Sequence, residues 1–213
     1  MPKDPSKINL TVMVLSIPSR LPQLQKLYEK LEQQIGDRED VEVLCLVDNK
    51  SLTIGQKRNV VLKAARGKYV ACLDDDDTIA DDYVQTICEC IEGEHDFDVL
   101  AFDQHCTING EEVMVHFDMR HQQNDPLVRD ENGKYIDMCR PPWHMCVWKK
   151  EIADKTEFRD TSWGEDWDWV VQMYPHVKTQ LKLDKVLHYY QYSDEQSESI
   201  QYKDDETSHY TLK

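Results

Sequence analysis

The chain has 213 residues, 40% of them hydrophobic, enough to bury the core of one large domain or two small ones. Its formal net charge is −16 and its isoelectric point is near 4.8, a field that repels phosphate backbones and anionic membranes. Nucleic-acid binding is therefore not expected, and an anionic ligand would call for a bridging cation. No apolar stretch approaches the roughly 20 residues that span a bilayer, and the opening MPKDPSKINL lacks the apolar core of a signal peptide. A soluble, cytoplasmic protein is expected. The seven cysteines are scattered, and Cys88-x-Cys90 has no second Cys/His pair for zinc, so reduced cysteines acting as small apolar residues are expected. The sequons at Asn9 and Asn49 mean little without a secretion signal.

INLTVMVLSI (8–17) is β-branched and nearly all apolar, a strand buried on both faces, closed by Pro18. Leu21, Leu24, Leu27, Leu31 and Ile35 then recur at helical spacing, with Gly36 as a C-cap. VEVLCLV (41–47) is a second buried strand ending at Asp48. A short helix through GQKRNVVLKAAR follows, then KYVACL as a third strand. Asp81 and Asp82 open a helix carrying Val84, Ile87 and Ile91, with Gly93 past its end. This order predicts an α/β fold with parallel strands and right-handed crossovers. After residue 95 the pattern changes. FDVLAFDQHC and EEVMVHFDM flank Asn109-Gly110, and LVRDENGKYIDM holds a second Asn-Gly, both hairpin signals. A late helix is expected from about 164 to 174, and residues 193–213 read as a polar tail or linker.

Ligands of parallel sheets bind beyond the carboxyl ends of the strands. All three early strands end in polar groups there: Ser16 to Arg20, Asp48 to Ser51, and Asp74 to Asp77. The stretch DDDDTIADD is the sharpest signal. It could be a solvated acidic turn, a structural Ca²⁺ loop or a catalytic divalent-metal site. An EF-hand fails, because its sixth and twelfth places would be Ile79 and Gln85. Mg²⁺ and Mn²⁺ use one or two carboxylates plus substrate oxygens, which suits this cluster best. Asp74-x-Asp76-x-Thr78 also matches the nucleophile motif of haloacid-dehalogenase phosphatases. That motif belongs on a first strand, however, and two βα units precede it here.

TVMVLSIPSR, VEVLCLVDNKS, GQKRNVVLKAARGKYVACLDDDD and WGEDWDW (163–169), in that order, resemble the inverting nucleotide-sugar glycosyltransferases of the GT-A fold, family two. The resemblance covers roughly residues 8 to 192 and extends to the N-terminal transferase domain of a large viral polypeptide. It implies a single GT-A domain (1–192), with a nucleotide-binding half (8–94) and an acceptor-binding half (95–192). The expected sheet is central, mostly parallel and Rossmann-like, with antiparallel hairpins added in the second half. It further implies donor contacts from Ser16, Pro18, Arg20, Asp48, Arg58, Asp74, Asp75 and Asp76, with Asp76 on Mn²⁺ or Mg²⁺. The implied reaction moves a hexose or deoxyhexose from a nucleotide sugar, with UDP expected, to a hydroxyl of a glycan, free or on a glycoprotein. Asp166 is the implied base, and Trp143, His144, Trp163 and Glu165 are implied acceptor contacts. His188, in KVLHYYQY, is a candidate second metal ligand, since neutral imidazole suits Mn²⁺. Where the family often has Pro-Thr-Tyr in its first loop, this chain has Ile-Pro-Ser.

The chemistry stands beside the resemblance. A departing diphosphate needs a cation, and the attacking hydroxyl needs a carboxylate within reach. Asp166 falls at an apparent helix start, where free N–H groups and the dipole suit a carboxylate. Plain helix-start charges are the lesser alternative for Glu165 and Asp166, because the flanking Trp163, Trp167 and Trp169 suit a sugar ring. A host cytoplasm is expected if the source is viral, and further domains of a longer polypeptide could adjoin. The alternatives are the phosphatase and an inactive nucleotide-sugar or glycan-binding module.

Overall fold

A computed structural model describes residues 4–121 and 127–193. In chain order these form β1 (Leu10–Ser16), α1 (Leu21–Ile35), β2 (Val41–Val47), α2 (Ile54–Ala64), β3 (Tyr69–Asp74), β4 (Thr78–Ile79) and α3 (Tyr83–Glu92). The second half supplies β5 (Val99–Ile108), β6 (Glu111–Phe117), β7 (Met138–Arg140), β8 (Val147–Lys149), α4 (Lys150–Ala153), α5 (Glu165–Met173) and β9 (Gln180–Tyr192). The expected tail lies outside the described residues, apart from Ser193. No helix among the described residues is long and apolar enough to cross a membrane.

One α/β sheet runs in the order β2-β1-β3-β8-β5-β6-β7, with β9 added along β5 and reaching β4. β1 pairs in parallel with β2 and β3, so all three carboxyl ends meet at one edge. β8 runs antiparallel to both β3 and β5 and joins the halves. β1 is buried along its whole length, as its apolar run requires. β2 is different: Cys45 and Val47 are exposed because the strand forms the open edge of the sheet. Its apolar sequence alone suggested burial on both faces.

Gly36 ends α1 at φ 52°, its N–H donating to Glu32 O at 3.0 Å. Gln34 binds Ala80 O and the Val84 N–H, each at 2.9 Å, and so ties α1 to α3. Leu31, Val84 and Ile87 are fully buried between helices and sheet, each contributing roughly 1.5–3 kcal/mol. The Asn109-Gly110 turn has φ of 51° and 86° and joins β5 to β6, the hairpin that the dipeptide predicts. The second Asn-Gly makes a smaller loop, held by one Arg129–Tyr135 bridge.

Candidate active site

The four aspartates after β3 are each answered by a different part of the chain. The Ile17–Arg20 turn, with Pro18 at its first position, carries Arg20 back over the sheet edge. One Arg20 nitrogen, Nη2, pairs with Asp75 Oδ1 at 2.9 Å and also with Asp76 Oδ2. Ser16 at the end of β1 donates to Asp75 Oδ2 at 2.6 Å. Pro18 itself is exposed. Asp77 accepts from the Asp74 N–H at 2.7 Å and lies 2.9 Å from His188 Nε2. Burial pushes Asp75 up to about 6, Arg20 working against it, and raises Asp76 with help from Asp74.

Arg58 answers Asp74, and its position is set by α2. A capping box (Thr53 with Gln56) opens that helix, and both side chains also bind Asp160. Asn59 exchanges two 2.8 Å hydrogen bonds with the Phe158 backbone. Gly55 is required here, because a Cβ would sit 1.8 Å from Arg159 O. With α2 stitched to residues 158–162, Arg58 reaches Asp74 at 3.1 Å and Glu165 at 3.2 Å, and lies 3.5 Å from His144 Nε2. Only 3% of Arg58 is exposed, and its Nη1 is buried without a hydrogen-bond partner. Desolvation works against the charge of Asp74, but Arg58, then His144 and Arg20, hold its carboxyl below the usual range.

The WGEDWDW segment turns through Gly164, at φ 72°, into α5. Asp166 lies in the first turn. Its Oδ2 accepts from Trp143 Nε1 at 2.9 Å and its Oδ1 from the Trp167 N–H at 2.7 Å. Trp143 and Trp167 stack with centroids 5.2 Å apart. His144 Nδ1 is 3.5 Å from Asp166 Oδ2, and burial, then Arg58, pushes His144 down to about 4, so it is neutral at pH 7. Burial, then the Asp166 charge, pushes Glu165 up to about 7. Trp169 is core, packed on Phe158 and Trp148. Trp163 has only main-chain hydrogen bonds described.

Asp48 at the end of β2 is held by Lys57 at 2.9 Å, by Ser51 and by the Leu52 N–H. Those contacts outweigh desolvation and hold it down at about 2. Lys57 is buried and was not singled out by the sequence; its signal was a cation one residue from Arg58 in a helix that packs on the sheet. Gln104 of β5 is a second addition, its amide 2.8 Å from His188 Nδ1.

Ser16, Arg20, Asp74, Asp75 and Asp76 meet at the end of β3, Trp143, His144, Glu165 and Asp166 meet around the start of α5, and Arg58 links the two groups. The side chains of Pro18, Asp48 and Trp163 have no described contact with either group. His188 stands against Asp77; no contact of it with Asp76 is described. Among the described residues no three His, Cys, Asp or Glu side chains converge as a protein-only metal cage. A diphosphate-bridging Mn²⁺ or Mg²⁺ asks only for one or two carboxylates. The donor set fits that demand: Asp76 is half exposed beside Asp74, and the imidazole of fully buried His188 stands against Asp77 in the same acidic loop.

The strand-end carboxylate cluster is thus linked through Arg58 to a second carboxylate group at the start of a helix. The sequence profile of Glycosyl transferase family 2 matches residues 22–156, and the chain belongs to that family. No curated protein matches the chain. Among solved structures, S. aureus TarS has the same fold, with a TM-score of 0.63 at 17% identity over 87% of this chain and 37% of TarS. TarS 1–349 in complex with UDP gives 0.61 at 20% identity, over 88% of this chain and 62% of that one. TarS 1–349 in complex with UDP-GlcNAc gives 0.61 at 18%, over 88% and 59%. This chain therefore spans less than two thirds of the length of these structures. A viral source finds no support in these comparisons.

Proposed function

We propose that the protein transfers a sugar from a nucleotide-sugar donor, with UDP as the nucleotide, to a hydroxyl of a carbohydrate acceptor, free or on a glycoprotein, with inversion. The observation that carries this reading is the pairing of the two carboxylate groups through Arg58, which touches Asp74 on one side and Glu165, next to Asp166, on the other. Family membership and the UDP and UDP-GlcNAc complexes of TarS support the donor.

Asp166 takes the proton of the acceptor hydroxyl as its oxygen bonds to the anomeric carbon, while the bond from that carbon to the diphosphate oxygen breaks. Trp143 and the Trp167 N–H hold the carboxylate in place, and neutral His144 adds no competing charge. Arg58 Nη1, buried and unpaired, is a donor for the diphosphate, and Asp48, fixed by Lys57, faces the nucleoside. Asp76 and the candidate ligand His188 would hold Mn²⁺ or Mg²⁺, which would supply charge neutralisation to the leaving group. The paired tryptophans offer a wall for a sugar ring. The same proposal covers a cytoplasmic setting, in line with seven free cysteines.

A donor panel tests this. UDP-, GDP-, dTDP- and CMP-sugars are offered with and without Mn²⁺, nucleotide release is measured, and the anomeric configuration of the product is read by NMR. UDP release that needs the metal and an inverted product are expected. A retained configuration, metal-independent release, or phosphate freed from simple esters through an aspartyl-phosphate at Asp74 would overturn it. So would donor binding that never leads to turnover.

A further inference from the structure

Arg20 holds an unusual place. It stems from the turn after β1, yet a single nitrogen bridges two carboxylates on the far side of the β1–β3 edge. Asp75 is 3% exposed and anchored by Ser16, so it is a fixed support, while Asp76 is 50% exposed and faces the open site. Asp74 to Asp77 carry four formal negative charges, and the two arginines in contact with them carry two positive ones. Arg58 is also shared with Glu165, so the site keeps an excess of at least two negative charges for a divalent cation to meet.

We propose that Arg20 is a resident counter-ion that occupies the cation's place between Asp75 and Asp76 until a nucleoside diphosphate and a divalent cation arrive together. The cation takes over Asp76, and the released guanidinium, still 24% exposed and on a short turn, pairs with the diphosphate. Guanidinium suits both partners, since its fork matches carboxylate and phosphate oxygens alike. This inference rests on the donor reading above and adds a consequence to it: cation and nucleotide bind with positive coupling, because each removes the competitor of the other. The acidic loop is kept neutral enough to stay folded when the site is empty, and the metal alone gains little, because a like charge holds its place.

Mn²⁺ binding to the 213-residue protein is followed by loss of the free-ion electron paramagnetic resonance signal, with and without UDP. The proteins compared are wild type, Arg20→Gln, Arg20→Lys and Lys30→Gln. Lys30 pairs with Asp81, outside the four-aspartate run, and controls for the general loss of a positive charge. In wild type, UDP should tighten Mn²⁺ binding about tenfold or more. Arg20→Gln should bind Mn²⁺ alone about tenfold more tightly and lose most of the gain from UDP. Arg20→Lys, which keeps the charge but not the fork, should bind Mn²⁺ alone near wild type and lose part of the gain from UDP. Lys30→Gln should stay within about twofold of wild type in both. In wild type, the Arg20 side-chain nitrogen resonances should move only when Mg²⁺ and UDP are both present, a readout that needs no substitution. If Arg20→Gln gains nothing, if Lys30→Gln gains equally, or if those resonances stay put with both ligands bound, Arg20 is not the occupant. UDP that binds none of the proteins overturns the donor reading and the exchange with it. Cooperative binding that is identical in wild type and Arg20→Gln overturns the exchange alone.

Discussion

The two acidic groups of the site are built in opposite ways. Asp74 to Asp77 follow one another on a loop and are met by partners drawn from distant elements: the guanidinium groups of Arg20 after β1 and Arg58 on α2, and the imidazole of His188 in β9. In α5, Glu165 meets Arg58 and Asp168 meets Arg159, but the described contacts of Asp166 are two neutral N–H groups and an uncharged histidine. A carboxylate bound to guanidinium is poorly placed to take up a proton. One held by neutral donors is fixed in direction and keeps its capacity to accept. The first group suits a cation and the second suits a proton, although both are runs of acidic residues.

The hardest test of this contrast is Asp166→Asn. It keeps size and hydrogen bonding but removes basicity, so transfer should fall by roughly 10²–10⁴-fold while calorimetry shows donor binding nearly unchanged. Turnover close to wild type would erase the distinction between the groups. Arg58→Met cuts the link between them and leaves Asp74 and Glu165 without their shared cation. Denaturant unfolding near pH 7 should show a loss of about 3–5 kcal/mol, the usual result of breaking a buried pair. Stability equal to wild type would mean that Arg58 does not couple the two sides.

The smallest expected effect is on pH dependence. Glu165 is raised in the fold to about 7, so the folded state keeps a proton that the unfolded chain releases near its ordinary value of about 4.3. Its contribution is complete below that value and is lost as pH rises toward 7. Glu165→Gln removes this slope and should therefore gain on wild type between about pH 4 and 8, by up to about 3 kcal/mol in urea titrations. Parallel pH profiles for the two proteins would show that Glu165 is ionised in the fold like an ordinary surface carboxylate.

Much of the first half was legible in the sequence because its signals are local. The leucine spacing of α1 and the strands before Asp48 and Asp74 need no distant partner to be recognised, and Asn109-Gly110 specifies its own turn. Pairing was not legible. Nothing in VEVLCLV tells an edge strand from a central one, and nothing in KVLHYYQY says that β9 runs in parallel along β5 while its His188 pairs with Ile79. The same gap separates residue types from partners within the site. Asp166 stood out by its segment, but nothing in the sequence pairs it with the Trp143 indole. Lys57 was passed over because a buried lysine is visible only once Asp48 is placed beside it.

The pairing of β4 with β9 also bears on the order of events at the ribosome. Arg20 and Arg58 are synthesised before the aspartates they touch, so the countercharges of Asp74 to Asp76 are already in the chain when the loop emerges. Asp77 must wait for almost the whole described chain, because His188 and the Leu187 carbonyl that receives the Ala80 N–H arrive last. A nascent chain stalled before that strand would have the three parallel strands and their helices, but its aspartate loop would be open on one side. Donor binding should therefore appear late in synthesis, as a step set by long-range strand closure rather than by the early βα units.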